Sequence, residues 1–230
     1  MELNVKTLYL IGAIVTVCGA GATLLTWYHH REAPGLRAWT AALLLTSLGA
    51  LILRFRTSQE DVALGLAADM VIVTGFSVMW LSLRFANQDR KDLVRLVAFS
   101  IAISVAFLAA FILLRAIGAG RQAASIPFSL FLGLLGLASA WEIWEGRRRD
   151  DLRSRLPAAL AFVGLGIARV FRAGVLGFEV IHVLPPGAAA ATHPYTLYAT
   201  IVFTLVVTYG LVIMATEQAL RREAMQFAER

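Results

Sequence analysis

The chain has 230 residues, of which 59% are hydrophobic and only 16% charged. A soluble domain carries about 25% charged residues, so this chain lacks the charge to cover a water-facing surface, and it is too hydrophobic to be disordered. With a mean hydropathy of +0.72, the composition excludes a soluble enzyme or nucleic-acid-binding module and sets the class: an all-α, polytopic membrane protein. The net charge of +6 lies almost entirely between apolar runs, where it sets topology and meets anionic lipid headgroups rather than nucleic acid. The single cysteine, Cys18, has no partner for an internal bridge.

A bilayer core takes about 20 helical residues, and a helix satisfies its own backbone there. Seven spans are expected. The first, 7–28, has no charge and is preceded by only one Lys and one Glu, so it reads as a retained helix and not as a cleaved signal peptide. The second, 38–53, is short and flanked by Arg37 and Arg54, whose stems can snorkel. The third, 62–83, contains Asp69; the fourth is 96–114. The fifth, 122–141, carries Pro127, which is expected to kink it. The sixth, 156–178, contains Arg169 and Arg172, and the seventh, 194–216, is uncharged. Pro157 and Pro194 fall in the first turns of their spans, where proline is tolerated. Between the last two spans, residues 181–193 hold Pro185, Pro186 and Gly187 followed by four alanines, expected to form a turn over the mouth between them.

With seven spans the Lys and Arg residues divide fourteen to five between the two sides, Arg169 and Arg172 being intramembrane. The positive-inside bias then places the N-terminus outside and the C-terminus in the cytoplasm, in a bacterial inner membrane. Internal repeats and strict GxxxG spacings are both missing, which argues against an inverted-repeat transporter and against a ready-made dimer seam.

Residues 217–230 are polar, free of Gly and Pro, and rich in strong helix formers. Ile213, Leu220 and Phe227 recur every seven residues with Ala224 between the last two, a short heptad consistent with a parallel homodimeric coil. The last span is therefore expected to continue as a rigid helix, Glu217, Leu220, Ala224 and Phe227 relaying a signal toward an output domain beyond residue 230. Seven apolar spans, the stretch Pro34-Gly35-Leu36-Arg37-Ala38-Trp39, an arginine in the sixth span (Arg169 or Arg172) and a final helix with Glu217 and Leu220 closing on Ala228-Glu229-Arg230 resemble the seven-transmembrane sensory module of bacterial membrane-bound diguanylate cyclases. The resemblance implies that a cyclase (GGDEF) domain follows. The GGDEF segment itself is absent from these residues, so the chain would regulate such an enzyme without being one.

A charge within the membrane costs about 2.5 kcal/mol or more, which makes Asp69, Arg169 and Arg172 the most informative positions. Asp69 lies eight residues from Asp61, roughly 12 Å deep at 1.5 Å per residue, and Arg172 lies at a matching depth in the sixth span. One reading is a structural ion pair, Asp69 with Arg172, locking the third span to the sixth. The other notes that Arg169, one turn away on the same face, leaves a positive charge uncompensated. An anion would balance it: a small anionic or lipid-like ligand, or Glu179 seven residues along the same stripe. Glu179, His182 and His193 offer a possible metal set, although such groups at an interface are more often polar termini. No cofactor is expected. His29 and His30 lie on the opposite side from His182, so a bis-histidine haem finds no pair, and a retinal Schiff base would need a mid-span lysine where the chain has only Lys6 and Lys91. Trp141, Trp144 and Arg147–Arg149 read as an interfacial belt. The leading expectation is thus a dimeric sensory module; the alternatives are a stand-alone transporter or channel, or the input module of a histidine kinase.

Overall fold

The computed structural model describes residues 4–31, 35–56, 61–87, 93–118, 120–150 and 154–228, except the side chains of 85, 86, 93, 121, 122, 148–150 and 222–228. Helices run in the order α1 (Val5–His29), α2 (Leu36–Phe55), α3 (Val62–Asn87), α4 (Leu93–Ala116), α5 (Arg121–Ala124), α6 (Ile126–Asp150), α7 (Arg155–Val180) and α8 (Ala188–Ala228). All but the four-residue α5 are long and apolar enough to cross a membrane, and no strand occurs among the described residues. The protein is a multi-pass, all-α membrane bundle. The end that carries Asn4, Asp61 and Gly187 is termed the N-side, and the end that carries His29, Asn87 and Ser154 the C-side.

Local chemistry explains where the helices begin. The Asn4 side chain accepts from the Lys6 N–H at 3.0 Å and caps α1. Gly35, at φ 86°, supplies the left-handed turn into α2 that other residues resist. Two boundaries differ from expectation. Pro127 does not kink a long helix: the chain breaks at Ser125, leaving α5 on one side and Pro127 as the second residue of α6. Its missing N–H and the bulk of its ring deny the preceding turn a continuous ladder. The four alanines after Gly187 are also not loop. They form the first turn of α8, which starts at Ala188 and contains Pro194, because alanine is the strongest helix former and because Glu179 caps the turn, as described below.

The helices pack as a closed ring, α1 against α2, α2 against α3, α3 against α6, α6 against α7, α7 against α8 and α8 back against α1, with α4 outside, against α3 and α6. The interior is closed by Trp39 of α2 and Phe162 of α7, edge to face with ring centroids 5.9 Å apart. Lipid gives helices little hydrophobic reason to associate, so the seams depend on close approach and hydrogen bonds. At the α6–α7 seam a Cβ on Gly136 would lie 3.3 Å from the Gly166 Cα. Across other seams Thr23 meets Thr40 at 2.9 Å, Thr74 meets Ser104 at 2.7 Å and Ser47 donates to the Ala13 carbonyl at 3.1 Å. A Cβ on Gly166 would meet Leu137 at 2.7 Å and the Gly133 carbonyl at 3.1 Å. Gly166→Leu is therefore expected to cost about 1–3 kcal/mol by overpacking, read as an earlier loss of helicity on heating in detergent; an unchanged transition would mean that the two backbones do not meet here.

Candidate functional site

The functional candidates fall into two groups, one at each end of the bundle. At the N-side, Arg169 and Arg172 lie one turn apart on α7. Arg169 is 6% exposed, and its Nε–H has no acceptor among the described residues. Its guanidinium stands over the Phe128 ring at 5.7 Å. Arg172 is half-buried and donates from Nη1 to the Ala189 carbonyl at 3.2 Å. Glu179, in the last turn of α7, is buried; its Oε1 accepts the Gly187 N–H at 2.8 Å and its Oε2 the Ala189 N–H at 2.7 Å. The opening N–H groups of a helix have no partner within it, and a carboxylate there also meets the positive end of the helix dipole. Glu179 and Arg172 thus grip the two ends of the same residue, Ala189, and fix the start of α8 to α7.

Beside this joint, the Tyr9 hydroxyl of α1 and His193 Nε2 of α8 lie 3.1 Å apart, and the His193 Nδ1 is buried without a partner among the described residues. Charged groups converge on the pair. Asp69, Arg169, Arg172 and Arg56 all act electrostatically on the Tyr9 phenol, and Arg172 and Arg169 act on His193. The Arg56 guanidinium lies over Gly65, four residues before Asp69 on α3. The result is one polar cluster drawn from α1, α3, α7 and α8, with Arg56 reaching it from the end of α2.

The geometry corrects one expected pairing. Asp69 and Arg172 do not lock the third span to the sixth. Helices α3 and α7 are not neighbours in the ring, Arg172 is engaged with Ala189, and the cations that act on Asp69 are Arg169 and Arg56. Matching depth fixed the height of the two residues but not their direction around the ring. Glu179, seven residues along the same stripe, serves as the α8 cap. Glu179, His182 and His193 also do not gather as metal ligands. His193 faces Tyr9, His182 is exposed at φ 60° beyond the end of α7, and among the described residues no group of three His, Cys, Asp or Glu side chains is arranged to hold an ion. Tyr9 was missed by sequence reasoning; its one signal is a phenol three residues after Lys6 at the mouth of the first span.

At the C-side, α8 runs on without interruption past Thr216 to Ala228. Glu217 is tied to the start of α7: its Oε2 accepts from Ser154 Oγ at 2.7 Å, and its Oε1 lies 3.2 Å from Arg221 Nη2. Ile213 and Leu220 are exposed, 55% and 64%, on the flank of α8 turned away from the bundle. The side chains of Ala224 and Phe227, the rest of the expected heptad, and Pro34 of the first turn lie outside the described residues. Ser154→Ala removes one hydrogen bond to a charged group, which is worth about 1.5–3 kcal/mol. Amide exchange at 217–221 is expected to rise at least about tenfold on the same account, measured by mass spectrometry; unaltered exchange would show that Ser154 does not hold the extension.

Comparison with protein-family models, with curated proteins and with solved structures found no match.

Proposed function

We propose that the chain is the membrane input module of a signalling protein, in which the state of the N-side cluster sets the position of α8. The observation that carries this reading is the continuity of α8: one helix of 41 residues, about 60 Å at 1.5 Å per residue, begins on the Glu179–Arg172 joint and ends beyond the Glu217 contact at the opposite end. A ligand that engages Arg169 acts on groups adjoining the α8 joint, and a shift there reaches the C-side as a rotation or a displacement along the helix. A small anion, free or lipid-like, suits the cluster, because it would supply the negative charge that Asp69 alone does not.

The positive-inside bias of the sequence supports a cytoplasmic C-terminus, and the exposed Ile213 and Leu220 support a parallel homodimer along α8. The motif resemblance supports a diguanylate cyclase as the regulated enzyme. The test is to express the uninterrupted reading frame and assay its membranes for conversion of GTP to cyclic di-GMP. The expected result is product, at a rate that Arg169→Gln changes several-fold without reducing the amount of inserted protein. Absence of product rejects the cyclase, and an Arg169→Gln rate equal to wild type rejects control from the cluster. Cysteines at Ile213 and Leu220, in a Cys18→Ser background, are expected to crosslink between chains in native membranes; monomer alone would reject the dimer.

A further inference from the structure

Around the ring α1, α2 and α3 follow one another, and then α6, α7 and α8. Helix α4 adds one traverse between the two triplets, so α6 sets out from the N-side as α1 does. A half-turn about an axis normal to the membrane therefore carries one triplet onto the other in order and direction. That is the arrangement of parallel repeats, although the two stretches of sequence show no repeat.

The seams differ in kind. Within a triplet, helices approach backbone to backbone. A Cβ on Gly49 of α2 would lie 2.9 Å from the Ala68 carbonyl oxygen of α3, and one on Gly75 of α3 would lie 2.9 Å from the Ala42 carbonyl oxygen of α2. In the other triplet Gly136 and Gly166 join α6 to α7, and a Cβ on Gly210 of α8 would lie 3.3 Å from the Ala158 Cα of α7. Between triplets, Gly12 and Gly19 of α1 meet side chains of α8, with Ile201 at 3.4 Å and Thr208 at 2.9 Å from the added Cβ. The α8–α1 and α3–α6 seams are also the thinner ones. Interlocked backbones move together, whereas helices that touch through side chains can slide.

Midway, the triplets share one buried apolar cluster, Leu43 and Phe76 from the first with Phe162, Leu165 and Val207 from the second. Apolar contact has no preferred direction. Polar ties stand at the two ends. At the N-side the Tyr9 hydroxyl and His193 Nε2 join α1 to α8 at 3.1 Å; at the C-side Asn87 Nδ2 donates to the Glu142 carbonyl at 2.6 Å and joins α3 to α6.

We propose that the ring is two three-helix bodies that rock against each other about this apolar middle, one end closing as the other opens. The N-side cluster lies on their boundary. Tyr9 and Asp69 come from one body and Arg169, Arg172 and His193 from the other. A change of charge there is a force between the bodies, and α8 moves together with α6 and α7. The device requires neither a particular ligand nor a particular output domain.

The test uses the 230-residue protein in lipid nanodiscs, with Cys18→Ser and nitroxide labels on pairs of cysteines at exposed positions, read by pulsed electron resonance. Phe55 with Phe178 reports the N-side between bodies, Leu25 with Trp141 the C-side between bodies, and Leu10 with Leu64 the inside of one body. Tyr9→Phe removes the N-side tie and keeps the ring. It is expected to lengthen the mean Phe55–Phe178 distance by about 1–2 Å, the scale of helix shifts at interfaces. It is expected to shorten Leu25–Trp141 and to leave Leu10–Leu64 as in wild type. Asn87→Ala is expected to reverse both signs; should it fail to fold, Tyr9→Phe decides by itself. The proposal is overturned if Tyr9→Phe leaves both distances between the bodies unaltered, moves them in the same direction, or changes Leu10–Leu64 as much as either. None of these results bears on whether the membranes make cyclic di-GMP.

Discussion

Replacing Arg169 with methionine is expected to stabilise the protein while removing its response at the N-side. The guanidinium is buried, and its contacts are the Phe128 face and the diffuse charge of Asp69, with Arg172 opposing it. Inserting an arginine at mid-span costs about 2.5–3.5 kcal/mol on insertion scales, and exchanging buried charge for apolar bulk of similar size is often neutral or stabilising by about 1–4 kcal/mol. Methionine keeps most of the volume and adapts to irregular gaps. The expected result is a higher unfolding temperature in detergent than wild type, with loss of the rate control assayed above. A lower temperature would mean that Arg169 is a structural partner after all, and the anion reading of the cluster would fail with it.

Glu179→Ala is expected to have the opposite effect and a larger one. Both carboxylate oxygens accept backbone N–H groups at the start of α8, at 2.8 and 2.7 Å. A hydrogen bond to a charged group is worth about 1.5–3 kcal/mol, so losing two costs up to roughly 3–6 kcal/mol, with the buried Ala189 N–H left unmet. Glu179→Gln keeps one acceptor and is expected to recover part of the loss. The first turns of α8, from Ala188 to Pro194, are expected to fray, read as rapid amide exchange confined to that segment. Should Glu179→Ala unfold no sooner than wild type, the joint between α7 and α8 is not what anchors the helix.

The seven spans were readable because each is an apolar run of spanning length bounded by charge, and their cores agree with α1 to α4 and α6 to α8. The exceptions come from backbone chemistry that hydropathy does not record. Ala188–Ala191 reads as a spacer until Glu179, nine residues earlier, is seen to cap it, and Pro127 separates two helices where a kink was expected. The candidate site was legible as a list of residues but not as pairs. Asp69, Arg169, Arg172 and Glu179 were each singled out by the cost of a charge in lipid. Which of them meet depends on helix order around the ring, and that order places α6 between α3 and α7. Tyr9 escaped notice because an aromatic residue in an apolar run gives no sign that its polar atom faces charge.

Helix α4 stands outside the ring, on α3 and α6, with broad apolar flanks turned outward: Val94, Phe99, Ile101 and Leu113 are all more than half exposed. It adds little to the closed wall, yet it is one full traverse of the bilayer. Its role is therefore one of parity. With it, Asn4 and Ala228 emerge from opposite leaflets; a chain that lost it would keep every seam of the ring on paper but would have to thread α6, α7 and α8 upside down.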